Sequence, residues 1–193
     1  MKSVLAALLA GASLTLSAGA FAVTLSNVET NGNVFDNSAS SAALISPSIE
    51  LKSASPIVFT FVVDEEDAGG TVAFNSSIAN GAGTAWRSLE VALTGGTVVL
   101  AGSVTPQFGA IDGRSGDAVT ETITFSPGEP FGVDLGNPFS QAGAQDWLIG
   151  LGGLQAGDRL TVTVTAGLVP EPGTYAMLLA GLSLLGWGVR RRA

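Results

Sequence analysis

The 193 residues contain no cysteine and no histidine. Without thiols there is no disulfide staple and no thiolate metal site. Without imidazole there is no Ser-His-Asp triad, no His-liganded zinc and no imidazole acid–base chemistry, which removes most hydrolase mechanisms. A domain with no disulfide and no metal staple has to be held by packing alone, which is feasible at this size. Positive charge is scarce too: 8 Lys and Arg stand against 16 Asp and Glu. Four of the eight sit at the ends of the chain, so Lys52, Arg87, Arg114 and Arg159 face 15 acids in the middle, a net charge of −11. That balance argues against nucleic acid and anionic lipid as electrostatic partners, since both need a basic footprint, and favours solubility outside the cell.

The two ends of the chain carry its most specific signals. Met1-Lys2 is a positive start, Val4 to Leu16 an apolar core and Ala20-Phe21-Ala22 a small-x-small cleavage site. Together residues 1–22 read as a secretory signal peptide for Sec-type export, removed between Ala22 and Val23, with cleavage after Ala20 as the nearby alternative. At the other end Pro170-Glu171-Pro172 precedes 17 uncharged residues from Gly173 to Val189, and Arg190, Arg191 and Arg192 follow. Seventeen helical residues rise about 26 Å, at the short end of what spans a bilayer. Tyr175 and Trp187 sit near the two ends of that run, where amphipathic rings prefer the interface, and the arginines hold the tail on the cytoplasmic side. Proline fixes its own φ, lacks an N–H and disfavours helix in the residue before it. The predicted transmembrane helix, 174–189, therefore begins only after an extended Pro-Glu-Pro segment at the outer membrane face.

Val169-Pro170-Glu171-Pro172-Gly173-Thr174-Tyr175, the Leu/Gly-rich helix and the triple arginine resemble the PEP-CTERM sorting domain. The resemblance covers residues 168–193 and says nothing of the middle. It implies that an exosortase in the inner membrane recognises and processes the tail. It also implies a Gram-negative bacterium that makes extracellular polysaccharide, with delivery to the cell surface or matrix.

Residues 23–167 are the expected ectodomain, and their dominant period is two. Leu160-Thr161-Val162-Thr163-Val164-Thr165-Ala166 and Val119 to Phe125 alternate apolar with threonine or glutamate, as half-buried strands do, whereas Val58 to Val63 and Thr97 to Ala101 are more continuously apolar. Val23 to Val28, Ser48 to Lys52, Thr71 to Asn75, Ser88 to Leu93 and Trp147 to Leu151 are further strand candidates. Gly- and Asp-containing turns separate them, and patches at 37–43 and 76–84 read as mobile loops. The pattern predicts an all-β fold, an antiparallel β-sandwich of jelly-roll type with roughly eight to ten strands.

Candidate sites within that domain are few. Asp64-Glu65-Glu66-Asp67 offers hard oxygen ligands on a loop, as calcium takes, or else a solvated strand-end turn. Asp112-Gly113-Arg114-Ser115-Gly116-Asp117 reads as a hairpin turn. Glu90, Glu121 and Asp134 are carboxylates that could hydrolyse a glycoside only if two of them share a cleft. Trp86 and Trp147 are either core residues or a sugar-stacking platform. The resulting expectation is an exported, non-enzymatic structural protein without a required cofactor. Polysaccharide binding is the alternative reading, and a carboxylate-based glycosidase is the minor one.

Overall fold

The computed structural model describes residues 23–41, 43–65, 68–169 and 182. The cleavage-site residues Ala20 and Ala22, the motif Pro170 to Pro172, Arg190 to Arg192 and, apart from Leu182, the helix expected over 174–189 lie outside the described residues. Among the described residues no helix is long and apolar enough to cross a membrane.

From residue 23 to residue 169 every regular element is a strand: β1 (Val23–Glu29), β2 (Val34–Asp36), β3 (Leu44–Ile45), β4 (Ser48–Leu51), β5 (Ile57–Val63), β6 (Thr71–Phe74), β7 (Ser76–Asn80) and β8 (Trp86–Thr94). They continue with β9 (Thr97–Leu100), β10 (Val104–Pro106), β11 (Ala110–Gly116), β12 (Thr120–Glu129), β13 (Gly132–Leu135), β14 (Trp147–Gly150) and β15 (Arg159–Leu168). One layer is a six-stranded sheet in the order β1-β5-β15-β8-β12-β11. The other is built from two ladders, β10-β13-β7-β4-β2 and β3-β6-β14-β9. Pairing is antiparallel throughout, except where β3 lies parallel to β6 and β4 parallel to β7.

The two ladders are halves of one layer broken along a line. β3 leads into β4 across Ser46-Pro47, β6 into β7 across Asn75, and β9 into β10 across residues 101–103; β14 resumes the line of β13 after residues 136–146. Local chemistry explains the break. Pro47 has no N–H for a ladder. At Gly102 a Cβ would stand 2.3 Å from the carbonyl oxygen of Gln145 and 2.5 Å from that of Asp146, so only glycine lets the chains approach.

Backbone groups freed by the break still need partners, and polar side chains supply them. Asn75 Nδ2 donates to Asp146 Oδ1 at 2.9 Å, and Ser46 Oγ donates to Asn75 Oδ1. The same Asp146 oxygen accepts the Asn137 N–H at 3.0 Å, and Ser76 Oγ donates to the Pro47 carbonyl at 2.7 Å. Asn75 and Ser76 are buried at 2% and 0% exposure, so these bonds stand in for water.

The alternation read in the sequence places the core. Leu160, Val162, Val164 and Ala166 of β15 point inward, as do Ile57, Phe59, Phe61 and Val63 of β5, and both sets join one apolar cluster with Ile49, Leu51, Phe74 and Ile78 of the second layer. Phe35 of β2 meets Phe59 of β5 across the layers with ring centroids 5.1 Å apart. At the open edge Arg114 of β11 ties the layers together. Its Nε bonds Glu121 Oε1 at 2.9 Å, its Nη1 donates to the Gly102 carbonyl at 3.0 Å, and its guanidinium lies 5.6 Å from the Trp147 ring centroid.

Three expectations need correction. Among the described residues the strands number fifteen rather than eight to ten: the break cuts four lines of chain in two, and strands not expected from the sequence, such as β2 and β11, add to the count. Residues 76–80 of the patch read as mobile form β7, with Ser76 and Ile78 fully buried. The segment 112–117 is not the hairpin turn: Gly113 to Gly116 pair with Thr124 to Glu121, and the reversal falls at Asp117, whose carboxylate accepts the N–H groups of Val119 and Thr120.

Asn75→Ala removes the centre of the polar line and strands buried partners on both sides. It should cost about 1–3 kcal/mol, read as a lowered urea midpoint with an unchanged slope.

Candidate functional site at the chain exit

The element that carries the tail is β15, and its last described contact is the Val169 N–H bonded to the Ala85 carbonyl at 2.9 Å. Leu168 pairs with Trp86, and Trp86 pairs in turn with Glu129 at the end of β12. Three strand ends thus meet where the chain leaves the domain. An open recess beside them is lined by Arg87, Asp112, Ser126, Pro127 and Val169.

Glu129 organises this end. Its side chain is fully buried, and no cation pairs with it among the described residues. Oε2 instead accepts the N–H groups of Phe108 (2.9 Å) and Gly109 (2.7 Å), and Oε1 accepts those of Phe131 (2.9 Å) and Gly132 (3.1 Å). Burial pushes its pKa up, but the four donors outweigh burial and hold the carboxyl below its ordinary value. One carboxylate therefore fastens the β10–β11 connection to the β12–β13 turn. Gly132 completes the clamp at φ +151°, where a Cβ would meet the Ile78 carbonyl oxygen at 2.3 Å. Asn80 adds the β7–β8 connection: its Nδ2 donates to the carbonyls of Thr84 (3.0 Å) and Glu129 (3.1 Å), and its backbone N–H donates to Phe131 at 2.8 Å.

The clamp holds two aromatic side chains in solvent. Phe108 and Phe131 are 63% and 58% exposed, and their rings meet edge-on with centroids 5.8 Å apart. Sequence reasoning missed this site. The signal was Phe next to Gly or Pro in two turns, Gln107-Phe108-Gly109 and Pro130-Phe131-Gly132, with a glutamate beside one of them.

The predicted sites are scattered. Trp86 and Trp147, offered as a stacking platform, are core residues at 0% and 1% exposure. That correction has a simple cause: both open strands whose inward face they occupy, and Trp147 is shut in by Phe74 at 6.4 Å and by Arg114, with its Nε1–H on the Ser103 carbonyl at 3.0 Å. Asp64 and Glu65 follow β5 at the opposite end from Val169, where Asp64 Oδ2 accepts the Thr24 hydroxyl. Glu66 and Asp67 lie outside the described residues. Among the described residues no three Asp or Glu side chains gather as a cation site.

The three carboxylates do not share a cleft either. Glu90 pairs with Thr122 while its neighbour Val91 pairs with Glu121, so Glu90 and Glu121 point to opposite faces of one sheet. Asp134 lies in the other layer, opposite Ser77, buried with Oδ1 lacking a partner among the described residues.

Residues 168–192 match the family model for the PEP-CTERM protein-sorting motif. The chain therefore carries a sorting signal that implies an exported, membrane-transiting protein and an exosortase as its processing partner. No curated protein and no solved structure matches it.

Because the folded-state pKa of Glu129 is depressed, the stability it contributes is complete above the unfolded value, about 4.3, and is lost as pH falls through the folded one. Denaturation midpoints should thus fall more steeply below about pH 4.5 in the parent chain than in Glu129→Gln. At neutral pH Glu129→Gln leaves two of the four N–H groups without a carboxylate oxygen, which should cost about 2–4 kcal/mol.

Proposed function

We propose that the chain is a non-catalytic structural protein of the bacterial cell surface or extracellular matrix, in a Gram-negative polysaccharide producer. On this reading the chain is exported by a Sec-type signal, paused in the inner membrane by its tail and matured there by an exosortase. The observation that carries the reading is the junction. The matched motif begins at residue 168, while β15 runs to Leu168 and Val169 is still hydrogen-bonded to the domain. The folded module therefore abuts the processing signal.

Two features of the domain support a structural rather than a catalytic role. Its carboxylates Glu90, Glu121 and Asp134 are dispersed over two layers and two faces, and its core and polar seam are filled by its own side chains. The strand order supports a jelly-roll-like sandwich: β5-β15-β8-β12 faces β6/β7, β14/β13 and β9/β10, and β5 to β10 alternate between the layers. Polysaccharide binding stays the second reading. With both tryptophans buried it would have to use an exposed phenylalanine, Phe139 on the 136–146 loop or the Phe108–Phe131 pair.

Intact-mass analysis of the exported protein tests the sorting half. The mature form should lack Trp187 and Arg190 to Arg192; a product retaining them refutes processing. Glu171→Ala should leave membrane insertion unchanged and stop maturation, so that the unprocessed precursor accumulates in the inner membrane.

A further inference from the structure

The exposed Phe108–Phe131 pair has an aspect that the sorting reading leaves unused. It sits at the end of the sandwich from which the chain departs. Leu168, Trp86 and Glu129 lie side by side on β15, β8 and β12. At about 4.8 Å per strand, the clamp is on the order of 10 Å from the exit. Four residues, 170–173, separate Val169 from the expected start of the membrane helix. Fully extended they reach about 14 Å at most, and the polar layer of one leaflet is itself about 5–8 Å deep. A domain on so short a tether keeps its exit end against the lipid headgroups.

We propose that Phe108 and Phe131 form a second, apolar foot that enters the outer interface of the inner membrane while the precursor is anchored, fixing the domain upright over its tail. The inference rests on the sorting reading above and deepens it. Two observations, the pre-ordered aromatic pair and the short tether, favour lipid as the occupant. The rings are already fixed in solvent by four hydrogen bonds to one buried carboxylate, so little conformational freedom is lost on contact. Charge at the exit end is mixed: Lys52 and Arg87 lie there with Glu29, Glu50 and Asp112, and Lys52 pairs with Glu50 at 3.7 Å, so the contact is apolar rather than electrostatic. Overall negative charge opposes binding of the free domain to anionic lipid, yet a short tether supplies a high effective concentration, so a weak apolar contact suffices.

The test uses the full chain with its tail intact, reconstituted without exosortase in phosphatidylcholine vesicles whose acyl chains are brominated near the headgroup. Phe131→Trp in a Trp187→Phe background serves as reporter. Trp86 and Trp147 give a constant signal measured in the Trp187→Phe parent. Val99→Trp is the control, since Val99 is equally exposed (59%) and lies on β9, away from the exit. Brominated lipid should quench the reporter at least twofold and leave the control unchanged. A reporter that stays unquenched, while Trp187 in the parent tail is quenched, overturns the foot and keeps the anchored tail. Absence of quenching at Trp187 overturns the anchored tail and the foot with it. A reporter shielded only after exosortase is added assigns the surface to the enzyme and overturns lipid contact. Both phenylalanines are solvent-exposed, so the reporter variant keeps the fold.

Discussion

A sheet cut across its middle stays a sheet only if the cut is stitched, and in this protein Asn75 does the stitching. The second layer loses its ladder along one line, at Ser46-Pro47, Asn75, residues 101–103 and residues 136–146. At the centre of that line one buried amide joins Ser46 on one side to Asp146 on the other. Buried backbone polar groups left unpaired would each cost about 1–3 kcal/mol, comparable with a sizeable part of a domain's net stability. With no disulfide available, packing of the two layers has to supply that stability, and packing needs the second layer to hold its shape.

The same break decides what could be read from residues alone. Long strands are legible, β15 because every second side chain enters the core and β5 because its run is continuously apolar, and their limits fall within one or two residues of the predicted ones. β2, β3, β7, β10 and β13 were missed. Each is only two to five residues long, too short for alternation to be visible, and their pairing depends on partners far away in sequence. β11 was read as a turn because Asp112-Gly113 and Ser115-Gly116 are turn-formers; tertiary pairing with β12 overrides that preference, and Gly113 marks a bulge rather than a reversal.

The candidate site was hidden for a related reason. Nothing local distinguishes Glu129 from the other acids, and its role depends on four N–H groups from two connections about 20 residues apart in sequence. Burial disfavours a carboxylate, so this anion persists only because backbone donors surround it, the arrangement usually associated with anion sites but here filled by the protein's own side chain. For the tryptophans the residues alone left a core and a platform role open, and the inward phase of their strands decides for the core.

Polarity along the strands connects fold to sorting. β1 begins at Val23 opposite Val63, whereas β15 ends at Leu168 beside Trp86, so the two termini of the domain leave from opposite ends. Ten residues of β15 span about 33 Å. Strand β1 is an edge strand held by β5 alone, and it enters the six-stranded sheet at the end farthest from Val169, so the points where the chain enters and leaves the domain are separated by roughly the length of β15.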